Sequence, residues 1–442
     1  MTSLNHRNHS LLFAIVWGFG CAVAVWFAWF ITHLPWVSLA AEARLPIVLA
    51  VWLGTMVVGG FSDRPRRSWK AGLLAGLMTA LLGLLLLGSK LTQRPGDGSG
   101  STEAIPAAPI IALGFLVAGM VIGSVGTAIG NAIQRKPRPD HEPNWLYRFA
   151  LVTVLCVAPL LFVGGLVTST DSGMAVPDWP NTFGSNMFLY PLGGAATDIF
   201  LEHSHRLFGT LLGLTSLVLA IWIGVKEPRR WVRVLAAAVF IFIVIQGVIG
   251  GTRVLADSRW LGVFHGVSAQ IIFAGLVAVA VFVSPTYRAL TPGDAVLPRK
   301  LRIFASAALH TTMLQLVFGA VYRHLRSDHA LWSHAGFAIA VLIATLLAGF
   351  SARAVPATTP QARVIARCGL WLIIVVAIQF TIGWVTFAFG GRDHDAGSPI
   401  QALIRTAHQA NGAALLGIVT CTWLFARRLA QGGKTAQQIA GA

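Results

Sequence analysis

Charged side chains are scarce in this sequence of 442 residues, and acidic ones are the scarcest. Only 11% of the residues are Asp, Glu, Lys or Arg, whereas 55% are hydrophobic and the mean hydropathy is +0.71. Water-soluble globular domains carry about 25% charged residues, so this composition excludes that class and indicates a polytopic membrane protein.

Cysteine is also rare. The chain has four cysteines, none forms a Cys-x-x-Cys motif, and all four fall in apolar segments: Cys21, Cys156, Cys368 and Cys421. The sequence therefore indicates neither a disulfide framework nor a zinc site, and we interpret these side chains as small core residues.

Long apolar runs are abundant. A helix needs about 20 mostly apolar residues to cross the hydrocarbon core. Twelve runs meet this need approximately, at 11–33, 46–61, 71–89, 107–130, 149–168, 203–225, 232–251, 261–284, 301–322, 332–350, 366–389 and 403–425. The sequence predicts an all-α polytopic membrane protein with about 12 transmembrane helices. Because the first run has no small-residue cleavage site and continues into a second span, we interpret it as a retained helix.

The net charge of +17 follows the predicted topology. With the N-terminus placed in the cytoplasm, most of the 33 Lys and Arg residues fall in cytoplasmic loops, including 62–70, 134–148 and 226–233. This distribution is the one that the positive-inside rule describes. We therefore expect both termini in the cytoplasm, and no nucleic-acid partner is needed to explain the basic charge.

A polar, proline-rich segment at 134–148 divides the chain. The four spans before it contain almost no ionisable residues and are joined by a Gly- and Ser-rich outer loop at 92–104. For residues 1–147 we expect an accessory, stabilising or partner-binding role. The eight later spans predict two pseudo-symmetric four-helix bundles, a first bundle at 148–290 and a second at 291–442.

A motif repeats through those eight spans. Gln-x-x-x-Gly ends the first helix of three successive pairs, as "QGVIG" (246–250), "QLVFG" (315–319) and "QFTIG" (379–383), and "VGGLVTST" (163–170) takes the corresponding place in the first pair. The second helix of each pair carries a histidine in its first turns: His205, His265, His334 and His408.

These histidines lie at the rims of apolar helices, where a polar group needs a partner. A single histidine there is more often a hydrogen-bonded structural residue, but four at equivalent positions favour axial ligation of haem iron by helices of a bundle. By repeat, His205 pairs with His265 and His334 with His408. His310 falls outside the repeated position, and we interpret it as structural.

Small residues follow each histidine. Gly209 and Gly213 lie on the same helix face as His205 and would leave room for a flat macrocycle. Ordinary tight packing of membrane helices explains such residues equally well.

Four arginines lie near the span ends that carry these motifs: Arg206, Arg253, Arg323 and Arg405. Arginine binds carboxylates in bidentate fashion, so they are candidate contacts for haem propionates; snorkelling to lipid headgroups is the alternative.

Glu202 precedes His205 by three residues and shares its helix face, where it could orient the histidine, carry protons or face water. The side chain of His203 points away from that face, so His203 is the poorer ligand candidate.

The order and spacing of these features resemble the heme A synthases, a family that includes the mitochondrial assembly factor for cytochrome oxidase. The resemblance covers about residues 148–428 and rests on "GGLVTSTDSGMAVPDWP" (164–180), on "EHSHR" (202–206) and on the three later histidines. It implies an integral membrane oxidoreductase that converts the C8 methyl of heme O to the formyl group of heme A for cytochrome c oxidase biogenesis.

Residue by residue, the resemblance implies that His205 and His265 flank the substrate heme O and that Glu202 is catalytic. It implies that His334 and His408 ligate the iron of a haem b cofactor. The expected partners are heme O, the lipid bilayer, heme O synthase and cytochrome oxidase assembly proteins. The expected location is a bacterial cytoplasmic membrane, with the haem sites near its outer face.

The sequence departs from the family in two respects. Some members carry a cysteine pair in the outer loop that corresponds to 169–201, which here contains none, and the four N-terminal spans lie outside the family core. Two other functions use parts of the same pattern. A diheme b-type electron-transfer protein would need the same four histidines, and a secondary transporter would also have twelve spans in repeats, although its polar residues are expected at the midplane.

Overall fold

The structure, a computed structural model, describes residues 2–37, 39–65, 68–93, 102–134, 143–192, 195–290, 299–389 and 397–430. Within these ranges the chain forms thirteen α-helices, which are α1 (Thr2–His33), α2 (Ala41–Asp63), α3 (Ser68–Leu87), α4 (Ala108–Ile133), α5 (Trp145–Ser169), α6 (Thr197–Lys226), α7 (Arg230–Leu255), α8 (Arg259–Val283), α9 (Pro285–Arg288), α10 (Arg299–Leu325), α11 (Asp328–Arg353), α12 (Pro360–Ala388) and α13 (Pro399–Ala430). A two-stranded antiparallel ribbon pairs β1 (Thr92–Gln93) with β2 (Glu103–Ala104).

Every helix except α9 contains a span long and apolar enough to cross a membrane. The twelve spans are 23 to 31 residues long, against the need for about 20. The prediction of an all-α polytopic protein is confirmed, and the chain is an integral membrane protein. Helices suit this setting because they satisfy their backbone hydrogen bonds internally.

Hydroxyl side chains fix the starts of three helices in the C-terminal half. Ser258, Ser327 and Thr359 each accept a hydrogen bond from a backbone N–H of the first turn, at α8, α11 and α12 respectively. Ser258 stands seven residues before His265, and Ser327 stands seven residues before His334. The caps therefore set two of the candidate histidines at the same depth in their helices.

The chain divides into two compact units. Unit one comprises Met1–Val163 and Ser172–Leu219, and unit two comprises Gly164–Asp171 and Ala220–Ala442. Residues 135–142, within the predicted boundary segment 134–148, lie outside the described residues, and so do residues 291–298, which follow the predicted boundary at 290/291. Residues 94–101 of the loop predicted at 92–104 also lie outside them. The predicted division at 147/148 and 290/291, and the pseudo-symmetry of the bundles, stay predictions.

In unit one, glycines bring α2, α3 and α4 into backbone contact. A Cβ atom added at Gly76 would lie 1.9 Å from the carbonyl oxygen of Gly119, and one added at Gly60 would lie 2.1 Å from that of Thr127. No residue with a side chain could approach so closely, which is how membrane helices gain contact where lipid removes the hydrophobic driving force.

In unit two, α10 packs on α8, α11 and α13, while α12 packs on α11 and α13. A carboxylate with no exposed side-chain surface, that of Glu227, lies in the turn between α6 and α7 and pairs with Arg229 at 2.7 Å and with Arg288. Burial alone would raise the pKa of Glu227, but the hydrogen bonds and charge of Arg229 and the charge of Arg288 lower it below the ordinary value for glutamate.

The four cysteines are free thiols, as the sequence suggested. Cys21 and Cys156 are buried, and the Sγ atoms of Cys368 and Cys421 lie 3.8 Å apart between α12 and α13. They act as small side chains within the helix packing.

Candidate functional site

Glu202 and Arg206 form a buried ion pair one turn apart on α6. The Arg206 Nη2 atom donates to Glu202 Oε1 at 2.7 Å, and the two side chains are only 9% and 5% exposed. Glu202 Oε2 accepts a long hydrogen bond of 3.4 Å from the backbone N–H of Val176. The candidate acid is therefore enclosed by its own helix and by the loop that precedes it.

Arg206 also holds that loop, which we call the outer loop (residues 170–192). Nη1 donates to the carbonyl oxygens of Asp178 at 2.8 Å and Asn181 at 3.0 Å, and Nη2 donates to that of Val176 at 2.9 Å. Protein groups thus occupy four of the five guanidinium N–H bonds. The predicted propionate contact at Arg206 is left with Nε–H alone.

The outer loop has a folded shape of its own. The carboxylate of Asp178 accepts hydrogen bonds from the backbone N–H groups of Phe183 at 2.8 Å and Gly184 at 2.7 Å. Phe183 and Gly184 both have positive φ angles, of 49° and 77°. Asp178 therefore satisfies the backbone of a tight turn, as Asp side chains commonly do.

His203 anchors the outer loop. Its side chain is fully buried, its Nδ1 lies 3.2 Å from Thr182 Oγ1, and its ring centre lies 5.5 Å from that of Tyr190. These contacts place the His203 ring against the loop, and the preference for His205 as the ligand stays a prediction.

His205 lies half-buried on α6, and the face of the helix beyond it is open. A Cβ atom added at Gly209 or at Gly213 would meet nothing within 4 Å. This contrasts with Gly60, Gly76 and Gly123 of α2–α4, where an added Cβ atom would lie 2.2 Å or less from a carbonyl oxygen of the neighbouring helix. Within the described residues nothing packs closely on Gly209 and Gly213, so the space beside His205 could take a flat ligand.

The Gln-x-x-x-Gly motif and the histidine that follows it make the same contact three times in unit two. A Cβ atom added at the motif glycine would lie 2.9–3.2 Å from the Cε1 atom of the histidine on the next helix. The pairs are Gly250 with His265, Gly319 with His334, and Gly383 with His408. Glycine is needed at each position because the imidazole occupies the place of a side chain.

The motif glutamines also reach these histidines. Gln246 Nε2 donates to the carbonyl oxygen of His265 at 2.6 Å, and Gln315 Nε2 donates to that of His334 at 2.8 Å. Each glutamine thus bonds the backbone of the helix turn that bears the ligand candidate.

In the third copy the glutamine approaches the imidazole itself. Gln379 Nε2 lies 3.3 Å from His408 Nδ1, and Gln379 Oε1 accepts a hydrogen bond of 2.8 Å from Asn411. Asn411 in turn donates to the carbonyl oxygen of Val375 at 3.1 Å, which fixes the amide pair between α12 and α13.

His334 and His408 come together within unit two. Their ring centres are 6.1 Å apart and their planes are inclined by 79°. Two imidazoles on opposite sides of one iron, with metal–nitrogen bonds of about 2 Å, have ring centres about 6 Å apart. By their separation, His334 and His408 could both bind one iron if a haem lay between them.

His205 belongs to unit one and His265 to unit two, so their predicted pairing stays a prediction. Across the described ranges, no group of three or more His, Cys, Asp or Glu side chains could hold a bare metal ion.

Arg253 and His324 meet beside the helix of His265. A Cβ atom added at Gly262 would lie 2.8 Å from His324 Nδ1 and 3.3 Å from Arg253 Nε, and one added at Gly266 would lie 3.6 Å from His324 Nε2. The sequence reasoning missed His324. Its only mark in the sequence is its place next to Arg323, in the last turn of α10 and outside the repeated histidine position.

Arg323 reaches back to the segment that ends α5. Its Nη2 donates to the carbonyl oxygen of Thr168, and Arg326 pairs with Asp171 at 3.5 Å. Both contacts lie within unit two. The "VTSTD" segment is thus bonded to the C-terminal end of α10.

His310, which the sequence assigned a structural role, is exposed. Its Nδ1 lies 2.7 Å from the carbonyl oxygen of Ser306, one turn earlier in α10. It takes no part in the contacts described above.

Comparisons with known proteins agree with these features. Residues 147–336 match the model of a family described as cytochrome oxidase assembly protein. Over 178 residues the chain is 33% identical to the heme A synthase of Exiguobacterium sp. (strain ATCC BAA-1283 / AT1b), a match that covers 39% of this chain and 55% of that protein. The resemblance stated from the sequence is thereby confirmed over residues 147–336, whereas its extension to residue 428, which includes His408, stays a prediction.

Two further relatives give the same result. The heme A synthase of Lysinibacillus sphaericus is 28% identical over 188 residues, covering 42% of this chain and 60% of the relative. That of Listeria monocytogenes (serotype 4a, strain HCC23) is 28% identical over 191 residues, covering 42% and 61%. The chain thus spans somewhat more than half the length of the relatives it matches.

Proposed function

We propose that this chain, which resembles the heme A synthases over residues 147–336, oxidises the C8 methyl of heme O to the formyl group of heme A. The observation that carries the proposal is the buried Glu202–Arg206 pair. It lies one turn from His205, inside the segment that matches the family, and the outer loop closes over it. Glu202 and the loop around it are the features that speak against a protein that only transfers electrons.

Glu202 is the catalytic acid in this proposal. Arg206 binds Oε1, which leaves Oε2, with its weaker contact to the Val176 N–H, as the oxygen that takes up and releases protons at the substrate methyl. Arg206 holds the carboxylate in place, and the outer loop excludes water from it. Bound haem iron would supply the redox chemistry that a methyl C–H bond requires and that side chains lack.

The histidines divide into two sites. His205 and His265 flank the substrate heme O, with the open face at Gly209 and Gly213 beside His205. His334 and His408, whose ring separation fits one iron, hold a haem b cofactor.

Three arginines are the propionate contacts in this proposal: Arg253, Arg323 and Arg405. Arg206 is omitted because backbone carbonyls and Glu202 take four of its five N–H bonds. Carboxylates of the porphyrin would bind the planar guanidinium groups.

The membrane orientation belongs to the same proposal. Both termini lie in the cytoplasm of a bacterial cell, and the histidines lie near the outer face of the cytoplasmic membrane. The positive-inside distribution of Lys and Arg supports this orientation. Heme O synthase and cytochrome oxidase assembly proteins are the partners that would supply the substrate and receive the product.

Porphyrin extraction tests the proposal. Cells that make heme O are given this chain or its Glu202→Ala variant, and the extracted porphyrins are separated by chromatography. We expect heme A or its hydroxylated precursor with the unaltered chain only, while both preparations keep a reduced-minus-oxidised b-type band. Recovery of untouched heme O together with a b-type band from the unaltered chain would instead favour the diheme electron-transfer protein.

A further inference from the structure

We propose that the N-terminal helices position the Glu202 site, through packing of α1 on α6 and through contacts of the segment after α3 with the outer loop. The inference rests on the proposed function, which assigns Glu202 its role. All contacts that carry it lie within unit one. It gives residues 1–134 a part in the reaction, beyond an accessory or partner-binding one.

Aromatic side chains of α1 pack on both sides of Glu202. The rings of Phe30 and Phe200 are stacked at 5.5 Å with an interplanar angle of 11°, and Trp26 meets Phe208 edge to face at 6.0 Å. Trp26 and Phe30 are completely buried. Phe200 lies two residues before the acid and Phe208 lies six residues after it, so α1 holds the turns of α6 that carry the site.

A second contact joins the N-terminal helices to the outer loop. The short 3-10 turn Gly88–Lys90 follows α3, and a Cβ atom added at Gly88 would lie only 2.3 Å from the carbonyl oxygen of Phe188. Four residues later, Thr92 Oγ1 donates to the carbonyl oxygen of Leu189. Thr92 is 8% exposed, so this bond is shielded from water.

The residue that follows Leu189 contacts the residue that follows Glu202. Tyr190, which follows Leu189, packs on the ring of His203, and His203 also lies 3.2 Å from Thr182 Oγ1. The same loop supplies the three carbonyl oxygens that hold Arg206. A shift of Phe188 and Leu189 therefore moves the groups that hold the acid.

Gly88→Ala is the sharpest test. A Cβ atom that needs about 3.4 Å would have only 2.3 Å, so the Phe188 carbonyl must move by about 1 Å. A misplacement of that size can cost about a hundredfold in rate. Gly54→Ala is the matched control, because a Cβ atom there meets nothing within 4 Å and Gly54 also lies in the N-terminal helices.

We expect turnover of heme O to heme A to fall about 10- to 100-fold in Gly88→Ala, with an unchanged KM and an unchanged b-type spectrum. Gly54→Ala should keep the turnover of the unaltered chain. Equal turnover in the two variants would overturn the proposal, and so would loss of the b-type spectrum in Gly88→Ala, since the effect would then be general unfolding.

A second measurement does not depend on heme chemistry. Leu189, which is 40% exposed, is replaced by Cys and labelled with a membrane-impermeant maleimide. Labelling should be several-fold faster when Gly88→Ala is added than when Gly54→Ala is added. Equal labelling rates in the two variants would refute the proposal that the segment after α3 fixes the outer loop. If the unaltered chain made no heme A, the proposed function would fail, while this comparison would still decide the inference.

Discussion

The Glu202–Arg206 pair allows a quantitative prediction for the outer loop. Arg206→Gln removes the charge opposite Glu202 and weakens the hydrogen bonding to three carbonyl oxygens of the outer loop. Breaking a buried ion pair by removing one partner costs about 3–5 kcal/mol, because the other charge is left buried and uncompensated. Both side chains are less than a tenth exposed, so solvent screening reduces this cost little.

The destabilisation should appear first in the outer loop, because the Arg206 guanidinium also binds the backbone carbonyls of this loop. At about 1.4 kcal/mol for each factor of ten, a loss of 3 kcal/mol speeds local opening more than about a hundredfold. Hydrogen exchange of the loop amides, followed by mass spectrometry in detergent micelles, measures this opening. Amides in α11 and α12 are the internal reference and should be unchanged.

A double-mutant cycle separates the ion pair from the carbonyl contacts. Glu202→Gln should open the loop less than Arg206→Gln does, since Arg206 keeps its three carbonyl partners. In the double variant no carboxylate is stranded, so its effect should be smaller than the sum of the single effects by about 1–3 kcal/mol. Additive effects within about 0.5 kcal/mol would refute the buried, coupled pair.

Three other predictions concern single positions. Gly213→Phe should reduce the amount of co-purified heme O at least tenfold, because its side chain fills the open face beyond His205. Gly224→Phe, at an exposed position of the same helix, should leave that amount unchanged, and equal heme content in the two variants would contradict the prediction. Gln379→Leu should weaken haem b retention about 10- to 100-fold, measured by haem titration, because it removes the amide that orients the ring of the predicted ligand on α13. Glu227→Gln should lower Tm at pH 7 but not at low pH. Because the pKa of Glu227 is lower in the folded state than in the unfolded state, its carboxylate stabilises the fold at any pH above the unfolded-state pKa, and this stabilisation is lost as the pH falls through the folded-state pKa.

Much of the fold could be predicted because membrane helices are read from composition and length. The predicted span 203–225 corresponds to α6 at Thr197–Lys226, and 403–425 corresponds to α13 at Pro399–Ala430. Both helices begin before the apolar run, and in α6 the polar first turns before residue 203 include Glu202. A hydropathy criterion stops where Glu202 begins, although the backbone hydrogen bonds continue.

The repeated motif was visible in the sequence, but its physical meaning was not. Spacing alone gave Gln246, Gly250 and His265 as a pattern, and only the structure shows the glycine making room for the imidazole of the next helix. His324 does not stand out in the sequence because it lies at the end of the first helix of its pair, whereas the repeated histidines lie in the second helix. The Arg206 contacts escaped it because backbone acceptors leave no mark in a sequence.

The role of the N-terminal helices was beyond sequence reasoning for a different reason. Aromatic residues such as Phe30 and Phe200 look alike whether they face lipid or another helix. The contact of Gly88 with Phe188 joins residues one hundred positions apart without any charge or motif to mark it. Such contacts depend on packing, which composition and periodicity do not encode.

The hold of Arg206 on the outer loop has a consequence for how this loop can change over evolution. A guanidinium that binds carbonyl oxygens makes no demand on the side chains at Val176, Asp178 and Asn181 as acceptors. Substitutions at Val176 or Asn181 leave the acceptors in place, whereas Asp178 also needs its carboxylate for the turn at Phe183 and Gly184. An insertion or deletion moves all three acceptors at once. The number of residues between the end of α5 and Arg206 should therefore tolerate less change than their identity, and relatives are better compared here by loop length than by matching letters.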